Sequence, residues 1–225
     1  MKLDKKTLII GALVIIGGLW FFTGKADAQE VEQSWSIDAE VGNYEKRIDG
    51  GVYTADDANY LKASTELGVI GGLGLTADVE YVDSDAYQLY TTVGTVLDTP
   101  FGDLSAGILF SNIEDGDSTQ EFVGAYDVTL PFVNLDAVLD LGATTDGEYT
   151  VDLTTEVLLV QYEAIDLIVG AAYGQSFEYE TDYSYTLGYA RVQLDSLYAQ
   201  FNYLNNDLYG DSYEATTDFG LAFSF

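Results

Sequence analysis

The stretch YEATTDFGLAFSF (residues 213–225) puts Tyr213, Ala215, Thr217, Phe219, Leu221, Phe223 and Phe225 on one parity, with Glu214, Thr216, Asp218 and Gly220 between them. A helix would need apolar residues at i, i+3, i+4 and i+7, whereas strict alternation is the signature of a half-buried strand. The same period runs backwards through the chain. Trp35, Ile37, Ala39 and Val41 alternate with Ser36, Asp38 and Glu40, and Leu75, Ala77, Val79 and Tyr81 with Thr76, Asp78 and Glu80. Twelve such strands are expected, at 34–44, 59–69, 73–82, 87–97, 104–111, 121–130, 135–143, 149–160, 165–174, 183–192, 196–204 and 213–225. Connections after even strands are tight (Ile70 to Gly72, Pro131 to Asn134, Gln161 to Ala164). Those after odd strands are mostly long and acidic (Glu45 to Ala58, Asn112 to Gln120, Gln175 to Asp182, Asn205 to Ser212). That is the layout of an up-and-down antiparallel sheet.

Strand length separates a soluble sandwich from a membrane barrel. Soluble strands average about 5–6 residues, whereas about ten are needed to cross a hydrocarbon layer at a tilt. The aromatics on the apolar parity gather where strands meet long loops: Tyr81, Tyr87, Phe110, Phe122, Tyr149, Tyr173, Tyr183, Tyr203 and Tyr213. This reads as an interfacial girdle. A thinner set, Trp35, Phe101, Phe132 and Tyr162, lies at the short-turn end. In lipid an open sheet edge leaves backbone groups without partners, so the sheet must close.

Residues 1–28 carry Lys2, Lys5 and Lys6, an apolar run from Leu8 to Phe22, and Ala26-Asp27-Ala28. This is the order of a cleavable signal peptide, leaving residues 29–225 as one barrel domain. The whole sequence has 8 Lys plus Arg against 38 Asp plus Glu, a net charge of −30, and neither His nor Cys. Nucleic-acid binding is excluded by sign. Disulfides, Cys/His metal sites and His-dependent catalysis have no residues to use. Acid pairs are too common for any one to mark a hydrolase, so no enzymatic activity and no cofactor are expected.

The leader, the alternation of short and long connections and the terminal run through Phe219, Phe223 and Phe225 resemble a Gram-negative outer-membrane β-barrel of the porin type. That resemblance implies an outer-membrane location, contact with outer-membrane lipid, and a final strand ending in Phe225 that serves the barrel-assembly machinery as its signal. It carries no ligand motif.

With the apolar parity in lipid, the other parity faces the interior. It contains Asp38, Glu40, Glu66, Asp78, Glu80, Asp127, Asp136, Asp140, Asp152, Glu156, Asp166, Glu214 and Asp218, with Lys62 as the one cation assigned there. Gly68, Gly94, Gly107, Gly142, Gly170, Gly174, Gly188 and Gly220 are the small inward residues. So many carboxylates are costly in a dry core, and twelve strands fall between a filled eight-stranded interior and a sixteen-stranded aqueous channel. A narrow wet pore passing ions and small, preferably cationic, solutes is expected. The alternative is a structural or adhesive barrel acting through its acidic loops. Those loops match no calcium-loop pattern, and no metal site is assigned. A hairpin centred on residue 71 pairs Lys62 with Glu80, Ser64 with Asp78 and Glu66 with Thr76. The connection Glu45 to Ala58 is the segment best suited to fold inward, with Lys46 and Arg47 docking on the acidic wall. Arg191 falls on the lipid parity, or on the other side of a bulge near Val192, and Tyr60, Tyr90 and Tyr198 fall inside. The subunit number stays open.

Overall fold

The computed structural model describes residues 35–49, 52–70, 72–114, 116, 118–130, 134–144, 147–177, 182–206 and 213–224. The leader, Phe132 and Phe225 lie outside them. The strands are β1 (Trp35–Asp49), β2 (Val52–Ile70), β3 (Leu73–Asp83), β4 (Tyr87–Thr99), β5 (Gly102–Ile113), β6 (Thr119–Leu130), β7 (Leu135–Thr144), β8 (Tyr149–Tyr162), β9 (Ile165–Phe177), β10 (Asp182–Leu194), β11 (Leu197–Asn206) and β12 (Tyr213–Ser224). Each pairs antiparallel with its sequence neighbours, and β1 pairs with β12, so the sheet is a closed barrel.

The tight turns carry their own chemistry. Each holds a residue in the left-handed region: Gly72, Gly102, Asn134, Glu163 and Asp195. That conformation lets a short loop follow the twist of the strands it joins, and Gly, Asn and Asp reach it at least cost.

Apolar side chains stand on the outer face, including Val41, Leu61, Leu75, Val93, Leu139, Leu153, Leu197 and Leu221. Tyr149, Tyr173, Tyr203 and Tyr213 are exposed at the long-loop end. Tyr203 and Tyr213 stack with ring centroids 4.6 Å apart. Trp35, Phe101 and Tyr162 are exposed at the other end. A bulge between Leu158 and Val160 keeps Tyr162 on the outside although it shares its number parity with Glu156.

Strand β10 departs from expectation. Its odd residues face inward: Tyr183 and Tyr185 are buried, while Thr186, Ala190, Val192 and Leu194 are exposed. The pairing with β9 is unbroken, setting Tyr185 opposite Gly174 and Tyr189 opposite Gly170. Tyr183 is therefore no girdle residue, Arg191 points inward, and Gly188 faces outward. Bulk misleads here because the large residues are tyrosines: Tyr185 and Tyr189 find acceptors inside, and Thr186, Gly188 and Ala190 are left for the middle of the outer face.

The span Glu45 to Ala58, as far as it is described (45–49 and 52–58), is also strand rather than loop. It extends β1 and β2 into one long hairpin with a register shift between Arg47 and Ile48. Pairing of β1 with β12 stops at Tyr44 opposite Asp218. Beyond that point the Glu45 carboxylate accepts hydrogen bonds from the Thr217 amide (2.9 Å) and hydroxyl (2.8 Å), in place of further ladder bonds. The freed hairpin leans across the barrel. Thr54 accepts a bond at its carbonyl oxygen from Gln88 Nε2 of β4 at 2.8 Å. Ile48 packs on Ala172, Tyr185 and Leu204 of β9, β10 and β11.

Candidate pore lining

The inner face is built from alternate residues of every strand, and its charges are sorted. From residue 63 to residue 190 the chain contains no Lys or Arg. Arg47 and Lys62 therefore sit on β1 and β2, half way round the ring from β7 and β8, which carry only acids.

On the β1–β3 side, Glu80 collects the donors. Arg47 is 7% exposed and its Nη2 lies 2.7 Å from Glu80 Oε2, with Nε donating to Oε1 at 3.4 Å. The Tyr44 hydroxyl donates to Oε1 at 3.0 Å. Lys62 stands directly opposite Glu80, with Nζ 3.9 Å from Oε1, and Ser64–Asp78 and Glu66–Thr76 follow in the expected register. The Arg47 guanidinium lies 4.3 Å over the Tyr90 ring. Lys62 Nζ lies 5.4 and 5.2 Å from the rings of Tyr44 and Tyr60. Of the pair Lys46-Arg47, Arg47 docks on the acidic wall of β3, while Lys46 pairs with Glu214 of β12 at 2.9 Å.

Across the seam between β1 and β12, Tyr60 and Tyr198 each donate to Glu40 Oε1 at 2.5 Å, and their hydroxyls touch each other. This bridge passes over Gly42 and Gly220, which face each other in register. A Cβ on Gly42 would meet the Phe219 carbonyl oxygen, and Gly220 Cα at 2.8 Å. Asp38 accepts from Ser224. Asp218 is buried, with Oδ2 held by Asn202 Nδ2 at 2.6 Å and Oδ1 without a partner among the described residues.

On the far side, tyrosines again donate to acids. Tyr185 bonds Asp152, and Tyr189 bonds Glu156 at 2.5 Å. Arg191 Nη2 reaches both oxygens of Glu156 at 3.1 Å. Lys62 is therefore not the sole inner cation; Arg47 and Arg191 join it. Carboxylates also face one another directly across strands: Asp98–Asp103, Asp103–Asp127, Asp136–Glu156 and Asp140–Asp152. Like charges so placed cost stability in a sheet. Sequence reading missed Asp98 and Asp103, lost among the turn residues, and Glu121, which lies beside Gly142 and Thr150. Glu66 lies against Gly74, and Asp166 faces Gln161 and Gln193. Phe219 and Phe223 are exposed on the outer face. No three acidic groups among the described residues form a metal site.

Solved structures share this architecture. The KdgM porin superposes with a TM-score of 0.56 at 10% identity, over 84% of this chain and 99% of its own. The NanC porin does so with a TM-score of 0.52 at 8% identity, over 83% and 98%. The chain has a porin fold. No protein-family model and no curated protein matches the sequence. KdgM has also been solved in complex with disordered oligogalacturonate, with a TM-score of 0.54 and 10% identity.

Proposed function

We propose that this barrel sits in an outer membrane and acts as a porin-like channel. Its acidic, water-filled lumen lets ions and small, preferably cationic, solutes diffuse passively. The observation that carries the reading is the run of directly opposed carboxylates on β4–β8, strands that hold no basic residue, with Arg191 of β10 reaching Glu156 at its end. In a dry interior that arrangement would be prohibitive, whereas water and mobile cations screen it. The outer apolar face supports membrane immersion, because hydrocarbon-facing side chains need no polar partner. Oligogalacturonate is a polyanion, and this wall has the wrong sign for one.

The test is single-channel recording in planar bilayers under a potassium chloride gradient. A steady conductance with a reversal potential of the cation-selective sign is expected. Silence at all voltages and salts removes the channel reading. It then favours a structural or adhesive barrel, the reading to which the lumen-crossing β1–β2 hairpin lends support.

A further inference from the structure

We infer that the cavity on the β2–β5 side of the lumen is a subsite for a small zwitterion of the amino-acid type, an inference that rests on the channel reading above. The cavity measures about 310 Å³. That is the low end of the ~300–1,000 Å³ usual for small-ligand pockets, so it suits a free amino acid better than a sugar chain.

Its wall is two rungs of the sheet. One rung runs Ser64–Asp78–Thr92–Leu109 and the next Lys62–Glu80–Tyr90. Arg47 closes the top. Four charges line the space, and two of them are already spent. Glu80 takes Arg47 at 2.7 Å and the Tyr44 hydroxyl at 3.0 Å. The other two are Lys62 and Asp78. Lys62 is 40% exposed at its side chain and is only loosely paired with Glu80 at 3.9 Å, too long for a hydrogen bond, so its N–H groups are open to a ligand. Asp78 has no basic group within 4.0 Å among the described residues.

Lys62 and Asp78 are diagonal neighbours on adjacent strands, about 7–8 Å apart at the backbone. Both line the one cavity, and no ion pair joins them among the described residues. A small molecule carrying an ammonium and a carboxylate on one carbon can place a charge-assisted hydrogen bond of about 2.7–2.9 Å at each end, one to each group. The ligand ammonium would donate to Asp78, its carboxylate would accept from Lys62, and a small side chain would rest between Thr92, Tyr90 and Leu109. A lone cation gains Asp78 but meets Lys62, and a lone anion gains Lys62 but meets Asp78 and Glu80. Only a molecule bearing both signs uses both groups.

The experiment is titration of L-alanine onto the potassium current of the full chain in planar bilayers, with propionate and ethylammonium as single-charge controls. L-alanine is expected to reduce the current saturably, and the controls to be much weaker. Asp78→Asn and Lys62→Met should each raise the half-blocking concentration about tenfold or more, the loss of one charge-assisted bond. Saturation-transfer NMR of L-alanine with the wild-type barrel in micelles reads binding without any variant, and transfer is expected. Steady conductance with no alanine effect and no transfer overturns the subsite alone, as does equal block by either control or an unchanged response in both variants. A silent bilayer overturns the channel reading and the inference with it.

Discussion

At the residue scale, the seam of the barrel depends on two glycines and one carboxylate. Gly42 and Gly220 meet where β1 joins β12, and the phenols of Tyr60 and Tyr198 cross over them to Glu40. Gly42→Ala would push Cβ into the backbone of Phe219 and Gly220, which cannot yield as a flexible side-chain tip can. A large loss of folded barrel is expected, read as the heat-modifiable band on a gel. Gly188→Ala is the control: nothing lies within 4 Å of its Cβ, so folding should be unchanged. Glu40→Ala leaves two buried hydroxyls without their acceptor. It should lower unfolding free energy by about 1–3 kcal/mol for each hydroxyl left unsatisfied, measured by urea titration in micelles. Glu40→Gln keeps an acceptor and should cost less.

At the element scale, the β1–β2 hairpin decides how much of the lumen is open. It is tied to β3 through Arg47 and Glu80, to β4 through Thr54 and Gln88, and to the opposite wall through Ile48. Arg47→Ala removes the guanidinium that spans Glu80 and Tyr90. The hairpin should then loosen and single-channel conductance should rise, whereas Arg47→Lys, which keeps the charge but not the fork, should fall between the two. A conductance that stays at the wild-type value would show that the hairpin does not limit flow. Much of this architecture was legible beforehand, because a period of two survives wherever one face is greasy and the other acidic. The twelve strands and the Lys62–Glu80 register follow from that alternation and from a short turn at residue 71. Strand β10 was misread because Tyr is amphipathic: Tyr183, Tyr185 and Tyr189 look like a lipid face by bulk but point inward, where Tyr185 and Tyr189 donate hydrogen bonds. The extension of β1 and β2 was hidden because its polar, acidic residues read as loop, although they pair with each other in ladder register.

At the scale of the whole molecule, the barrel is electrically lopsided, and selectivity should follow the lopsidedness. Asp140 and Asp152 oppose each other on β7 and β8, and Asp136 opposes Glu156 four residues along the same pair. In a wet lumen one unit charge acts on a passing ion at 4 Å with about 1 kcal/mol, equivalent to about a fivefold change in local cation partitioning. Asp140→Asn with Asp152→Asn should therefore cut the cation-to-anion permeability ratio several-fold at low salt. The effect should fade toward 1 M salt, where the screening length falls from about 10 Å at 0.1 M to about 3 Å. The same double variant removes a like-charge cross-strand pair, so it should raise the unfolding free energy by about 0.2–1 kcal/mol, read as a higher urea midpoint. The two readouts separate the possible roles of the acidic wall. If the acids serve only to solvate a structural barrel, stability moves and permeability does not. If they set the traffic, the variant becomes both sturdier and less selective, and added salt brings the wild type toward it on both counts.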